Sequence, residues 1–309
     1  MEMKMQRKEF SSLGFRMLIG AILMTAVQLI SQGAIIGNKP EWADNINIGL
    51  AVTMIPLYVI GYPAAFFLMR KKDAGTIEKH RMGPGKFLLA FMMAYGLMII
   101  GNVTGLAVTA GIGLVKGKPV DNAIVSIITE GNIWISAIYT VLLAPVFEEI
   151  LFRKLICDRV IHFGQRTAIL VSGLLFGLFH MNFNQFFYAA LLGGFFAYIY
   201  VKTGNLKYTI GLHMVVNFLG SVIGGLLLQN VNMLELSGMV IYALYAMCVY
   251  GIGIAGIVFV CLNYTKMRMS LGEGAIAKGN WFRTVILNPG MLLNCVVMLI
   301  VMIVQAFVI

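Results

Sequence analysis

Two adjacent carboxylates and an arginine interrupt an apolar run: Glu148, Glu149 and Arg153 lie within VLLAPVFEEILFRKLI. His180 closes LLFGLFH, and His213 and Asn217 sit within IGLHMVVNFLG. An ionised group at bilayer depth costs roughly 2.5 kcal/mol or more, so such residues in hydrocarbon are functional candidates by default. At about 100° per residue, Glu149 and Arg153 share a helix face in the favourable acid-before-base order, whereas Glu148 points about 100° away. The expected division is a bracing Glu149–Arg153 ion pair and a working carboxylate, Glu148. The plainer alternative is three interfacial charges at a span end, although anchors at the inner boundary are usually basic.

Phe176 and His180 are four apart and share a helix side, as do His213 and Asn217. Glu148 and His180 each lie sixteen residues from Gly164. An antiparallel hairpin turning there would bring both to one height, about 24 Å from the turn. His213 is only about 12 Å from its own turn in KTGNLKY, so equal depth requires the first hairpin to project about 12 Å further. Its tip, with Lys154, Asp158, Arg159, His162 and Arg166, is then expected to be solvated.

A carboxylate, two imidazoles and a carboxamide at one level suit amide hydrolysis. Glu148 would serve as general base towards water, and His180 would hold that water or share its proton. His213 and Asn217 would donate to the developing oxyanion, a role that contributes a few kcal/mol. The same set could bind zinc, with His180 and His213 as ligands and Glu148 activating the bound water. The spacing is not HExxH, and residue types leave both versions open. Packing histidines and an interhelical hydrogen bond of about 0.6 kcal/mol are the plainer alternatives.

These residues need a scaffold, and composition identifies it. The chain has 309 residues, 60% hydrophobic and only 12% charged. Its mean hydropathy is +0.87. A soluble domain is nearer half apolar and a quarter charged, so an all-α polytopic membrane bundle is expected, as one integral domain over 1–309. Spans are expected near 15–36, 47–69, 87–114, 132–152, 167–181, 185–201, 208–228, 239–263 and 288–309, eight or nine in all if one short span is re-entrant. The catalytic core is expected over 132–228. The basic N-terminal stretch before a long apolar run reads as a retained first span rather than a cleaved signal.

Cations alternate between loops. One set comprises Lys4, Arg7 and Lys8; Arg70, Lys71, Lys72, Lys79 and Arg81; Arg153, Lys154, Arg159 and Arg166; Lys202 and Lys207; and Lys266, Arg268, Lys278 and Arg283. The opposite loops hold only Lys39, Lys116 and Lys118. The positive-inside rule then puts the N-terminus in the cytoplasm of a cell-membrane protein. The net charge of +10 is read as orientation, not nucleic-acid binding. Cys157, Cys248, Cys261 and Cys295 show no paired spacing and support neither a disulfide framework nor a cysteine metal site. Gly101, Gly105, Gly111, Gly251 and Gly253 are expected to permit close helix contact.

The ordered set Glu148-Glu149-Ile-Leu-Phe-Arg153, Phe176-Gly-Leu-Phe-His180 and His213-Met-Val-Val-Asn217 resembles the EExxxR, FxxxH and HxxxN motifs of the CPBP family of intramembrane endopeptidases. That family is also called the type II CAAX prenyl protease or abortive-infection family. The resemblance covers about 145–220 and includes the linking KTGNLKYTIGLH. It implies a helical membrane fold with a cytoplasm-facing cavity, water activation by Glu148 and His180, and oxyanion donation by His213 and Asn217. Members have been described both as metallo- and as glutamic proteases. The eukaryotic branch trims prenylated CAAX proteins, and bacterial members are linked to peptide maturation, bacteriocin immunity or protein anchoring. The implied partner is a membrane-associated protein or peptide in the lipid bilayer. A proton-coupled transporter using the same titratable groups and a noncatalytic immunity or scaffold protein are the rival functions; no inverted repeat favours the transporter.

Overall fold

The computed structural model describes residues 2–71 and 74–308, so Lys72 of the basic loops lies outside the described residues. Among the described residues nine helices of 15 residues or more carry the chain back and forth: α1 Glu2–Asn38, α2 Ile46–Met69, α3 Pro84–Lys116, α4 Ile133–Phe163, α5 Gln165–Phe179, α6 Phe183–Thr203, α7 Leu206–Asn230, α8 Leu236–Lys266 and α9 Pro289–Phe307. Eight are long and apolar enough to cross a membrane. The exception, α5, has 15 residues, about 22 Å of helix. No strand occurs among the described residues. The protein is a polytopic helical bundle.

Helix ends follow local chemistry. Asn45, Asn132, Asn182, Asn205 and Asn288 cap five helix starts with their side-chain oxygens. The α4–α5 break falls at Gly164, whose φ of +101° suits glycine. Two helices run further than hydropathy alone suggests. α1 begins at Glu2 because its polar first turns are good helix formers and are tied down, Arg7 donating to the Leu287 carbonyl at 2.8 Å and Lys71 pairing with Glu9. α4 continues to Phe163.

α4 sits centrally, touching α2, α5, α6 and α7. α1, α2 and α9 pack on one flank, while α3 binds α6, α7 and α8 on the other. Close approach is decided by glycines. A Cβ on Gly101 would stand 2.3 Å from the Tyr188 backbone, and one on Gly253 would stand 2.0 Å from Ile99. Gly105 is tight against Asn184, but Gly111 and Gly251 have nothing within 4 Å and serve no such contact.

The basic loops meet on one side, joined by Gly75 N–H to Asp158 O, His80 N–H to Thr203 O, Gln165 N–H to Ser270 O and Gly274 N–H to His162 O. On the other side Asn132 N–H donates to Asn47, and Lys116 donates to the Ala306 carbonyl. The solvated projecting tip does not form. Asp158 and Arg159 are buried. Tyr200 donates to Asp158 at 2.9 Å and Lys202 to Gln165 at 2.6 Å, fixing the tip level with the α6–α7 turn. The depth mismatch is reduced by π-winding over Ile150–Cys157, which puts more residues into each turn.

Candidate active site

The site grows from α4. Glu149 and Arg153 are fully buried and joined twice, Nε to Oε2 at 2.8 Å and Nη2 to Oε1 at 3.0 Å. The third arm, Nη1, donates to Ser172 Oγ at 2.8 Å, and that hydroxyl donates to the Phe152 carbonyl. The guanidinium also lies 4.8 Å from the Phe176 ring centre. A buried charge is tolerable only when fully partnered, and Arg153 meets that condition.

His213 on α7 enters between the two acids. Its Nδ1 is 3.2 Å from Glu149 Oε1 and its Nε2 is 3.8 Å from Glu148 Oε2. A carboxylate is acceptor-only, so Nδ1–H donates to Glu149. The chain of contacts Ser172–Arg153–Glu149–His213 therefore fixes the ring beside Glu148. The Glu148 side chain is 14% exposed whereas that of Glu149 is 0% exposed, in keeping with one working and one bracing acid.

His180 is held by how α5 ends. Its backbone N–H turns back to Gly177, which leaves the Phe176 carbonyl for its own ring: Nδ1 lies 2.8 Å from that oxygen. A carbonyl only accepts, so Nδ1 carries the proton and the neutral ring presents a lone pair at Nε2. Met181 follows with φ +53°, an unusual left-handed residue that stops the helix. Asn182 donates to the His180 carbonyl at 2.7 Å while capping α6. Glu148 and His213 both act electrostatically on His180. Phe176 sets the spacing, edge-on to His180 at 4.9 Å and to His213 at 5.9 Å.

Asn217 also faces α4, but its Nδ2 donates to the Thr140 carbonyl at 2.8 Å. The reason is local. In the π-wound stretch Ile138–Leu143 the Ala144 N–H goes to Tyr139, and Pro145, five residues after Thr140, has no N–H. Asn217 supplies the missing donor with one N–H and retains a second. Thus Glu148, His213 and His180 converge, with Asn217 turned to the helix backbone beside them.

Three residues without a sequence motif join the site. Tyr58 and Tyr62 on α2 and Tyr188 on α6 all lie in the field of the Glu148 carboxylate. Gln185 donates to the Tyr188 hydroxyl at 3.0 Å. Tyr58 and Tyr62 stack at 5.5 Å and pack on Phe147. For Tyr58 and Tyr62 the available signal was tyrosine well inside a span, since membrane tyrosines concentrate at interfaces; Tyr188, in the second turn of α6, carried none.

Residues 130–219 match the family model described as type II CAAX prenyl endopeptidase, Rce1-like. Over that segment, less than a third of its length, the chain is similar to the Rce1-like family. Comparison with curated proteins and with solved structures gives no match. The matched segment spans α4 to the middle of α7 and contains Glu148, His180, His213 and Asn217; Tyr58 and Tyr62 reach it from α2, outside the match. Among the described residues no group of three His, Cys, Asp or Glu side chains is placed to hold a metal ion. Glu149 is already committed to Arg153, and His213 Nδ1 to Glu149. Those commitments leave His180 Nε2, His213 Nε2 and the Glu148 carboxylate as the groups that face the site, and an imidazole backed by a carboxylate or carbonyl on Nδ1 is the form in which histidine binds a metal.

Proposed function

We propose that the protein is an intramembrane endopeptidase that hydrolyses a peptide bond in a membrane-associated substrate with a carboxylate-activated water. One observation carries this reading: Glu148, partly accessible, stands beside an imidazole that Glu149 and Arg153 clamp from behind. A water between Glu148 and His180 would lose its proton to the carboxylate as it attacks the carbonyl carbon, while the lone pair at His180 Nε2 orients its second hydrogen. The oxyanion formed would meet the spare N–H of Asn217, and Nε2–H of His213 when that ring is protonated. Glu148 would then return its proton to the leaving amine. Prenylated CAAX-type proteins are a substrate class that the matched family suggests.

The test is cleavage of a quenched membrane-anchored peptide by pure protein in lipid. Glu148→Gln is expected to lower turnover by roughly 100-fold or more, the contribution of a positioned base. Turnover equal to wild type would defeat the reading. Activity is expected to survive exhaustive chelation, and its loss with recovery on adding zinc would establish the metal version instead.

A further inference from the structure

A second feature lies away from the peptidase site, at the basic end of α1. Lys4, Arg7, Lys8, Ser11, Ser12 and Arg16 repeat at three- and four-residue intervals, so they form one helix stripe. They line a cleft of about 530 Å³ closed by Pro289 at the start of α9. Its lining has four cations and no carboxylate. Neutral groups hold the side chains in place without cancelling their charge. Arg7 donates to the Leu287 carbonyl at 2.8 Å, and Arg16 donates to the Leu68 carbonyl at 2.5 Å and to Ser12 Oγ at 3.3 Å. The nearest acid on the helix, Glu9, is committed elsewhere, to Lys71 and His162. Arg159, 5% exposed, acts electrostatically on Arg16, and its Nε and Nη1 have no hydrogen-bond partner among the described residues. Among the described residues the region has a surplus of positive charge and of donors.

Below the cations the same stripe becomes hydrocarbon. Phe15, Ile19 and Ile22 follow at helical spacing and are 40%, 47% and 55% exposed. A free anion would use only the upper half of this surface, whereas a phospholipid would use both. We propose that the cleft seats the phosphate headgroup of an acidic membrane phospholipid, with an acyl chain along Phe15, Ile19 and Ile22. The lipid would bridge α1 and the α9 start, already joined by Gly290 N–H to Ser11 Oγ at 2.9 Å. This inference does not depend on the peptidase reading.

Native mass spectrometry of delipidated full-length protein, titrated with phosphatidylglycerol, phosphatidylcholine or glycerol phosphate, tests it. Phosphatidylglycerol is expected to bind saturably, and the other two weakly. Each surface cation contributes about 1 kcal/mol towards an anionic lipid, so Lys8→Gln/Arg16→Gln should weaken binding about 30-fold. Lys4→Gln/Lys8→Gln, confined to exposed positions, should do the same if the deeper variant misfolds. Lys207→Gln/Lys266→Gln, with the same charge change elsewhere on the basic side, should stay within about twofold of wild type. Equal binding of phosphatidylcholine, displacement of the lipid by equimolar glycerol phosphate, unchanged binding by both cleft variants, or an equal loss in the control would overturn the proposal.

Discussion

Replacing Arg153 by methionine removes both bonds to Glu149, the bond to Ser172 and the contact with the Phe176 face, while leaving Glu149 fully buried. Breaking a buried pair from one side costs about 3–5 kcal/mol, because the surviving charge has lost its counter-ion and keeps only the His213 Nδ1–H. That is a large part of an ordinary folding free energy of roughly 5–15 kcal/mol. Glu149→Leu/Arg153→Met leaves no orphaned charge, and hydrophobic replacement of a buried pair is often neutral, so about 2 kcal/mol or more should return. Turnover should not return with it, because His213 Nδ1 has then lost the carboxylate that orients the ring. Unfolding in mixed micelles, followed by circular dichroism, gives the stabilities, and peptide cleavage gives the activities. The reasoning fails if Arg153→Met unfolds like wild type, or if the double variant regains full turnover.

Asn217→Ala should cost about 1–3 kcal/mol of stability by stranding the Thr140 carbonyl, measured in the same micelles. If its second N–H also serves the oxyanion, kcat should fall by about 100-fold or more; a stability loss with unchanged kcat would confine it to bracing α4. Gly101→Ala should destabilise by roughly 1–3 kcal/mol, since its Cβ would meet the Tyr188 backbone at 2.3 Å. Gly111→Ala, with nothing within 4 Å, should leave the melting temperature unchanged or slightly higher, and equal losses in both would refute the packing argument.

Most of the architecture was legible because lipid imposes one rule, a long apolar helix for each crossing, and the chain obeys it. The alternation of cations also held, since the loops that carry them meet on one side. The Glu149–Arg153 pairing, with Glu148 left off it, followed from a 100° turn. Three things lay beyond the sequence. Hairpin arithmetic assumed uniform α-helices, and π-winding over Ile150–Cys157 with burial of Asp158 and Arg159 replaced the projecting tip. The posture of Asn217 depended on Pro145 and a π-turn in another helix. Tyr58, Tyr62 and Tyr188 have no motif and reach Glu148 only through the packing of α2 and α6 against α4.

The wound-out stretch between Glu149 and Asp158 has a consequence for tolerance to length change. Each such turn absorbs an additional residue, so losing one lets the helix rewind to ordinary α geometry with the residues beyond it near their former phase. The Asp158 carboxylate would keep the Tyr200 hydroxyl, and the α4–α5 corner its tie to the neighbouring turn. A one-residue deletion within this stretch is thus absorbed, whereas one in the regular helix Gln165–Phe179 would turn His180 by about 100° away from Glu148 without altering either.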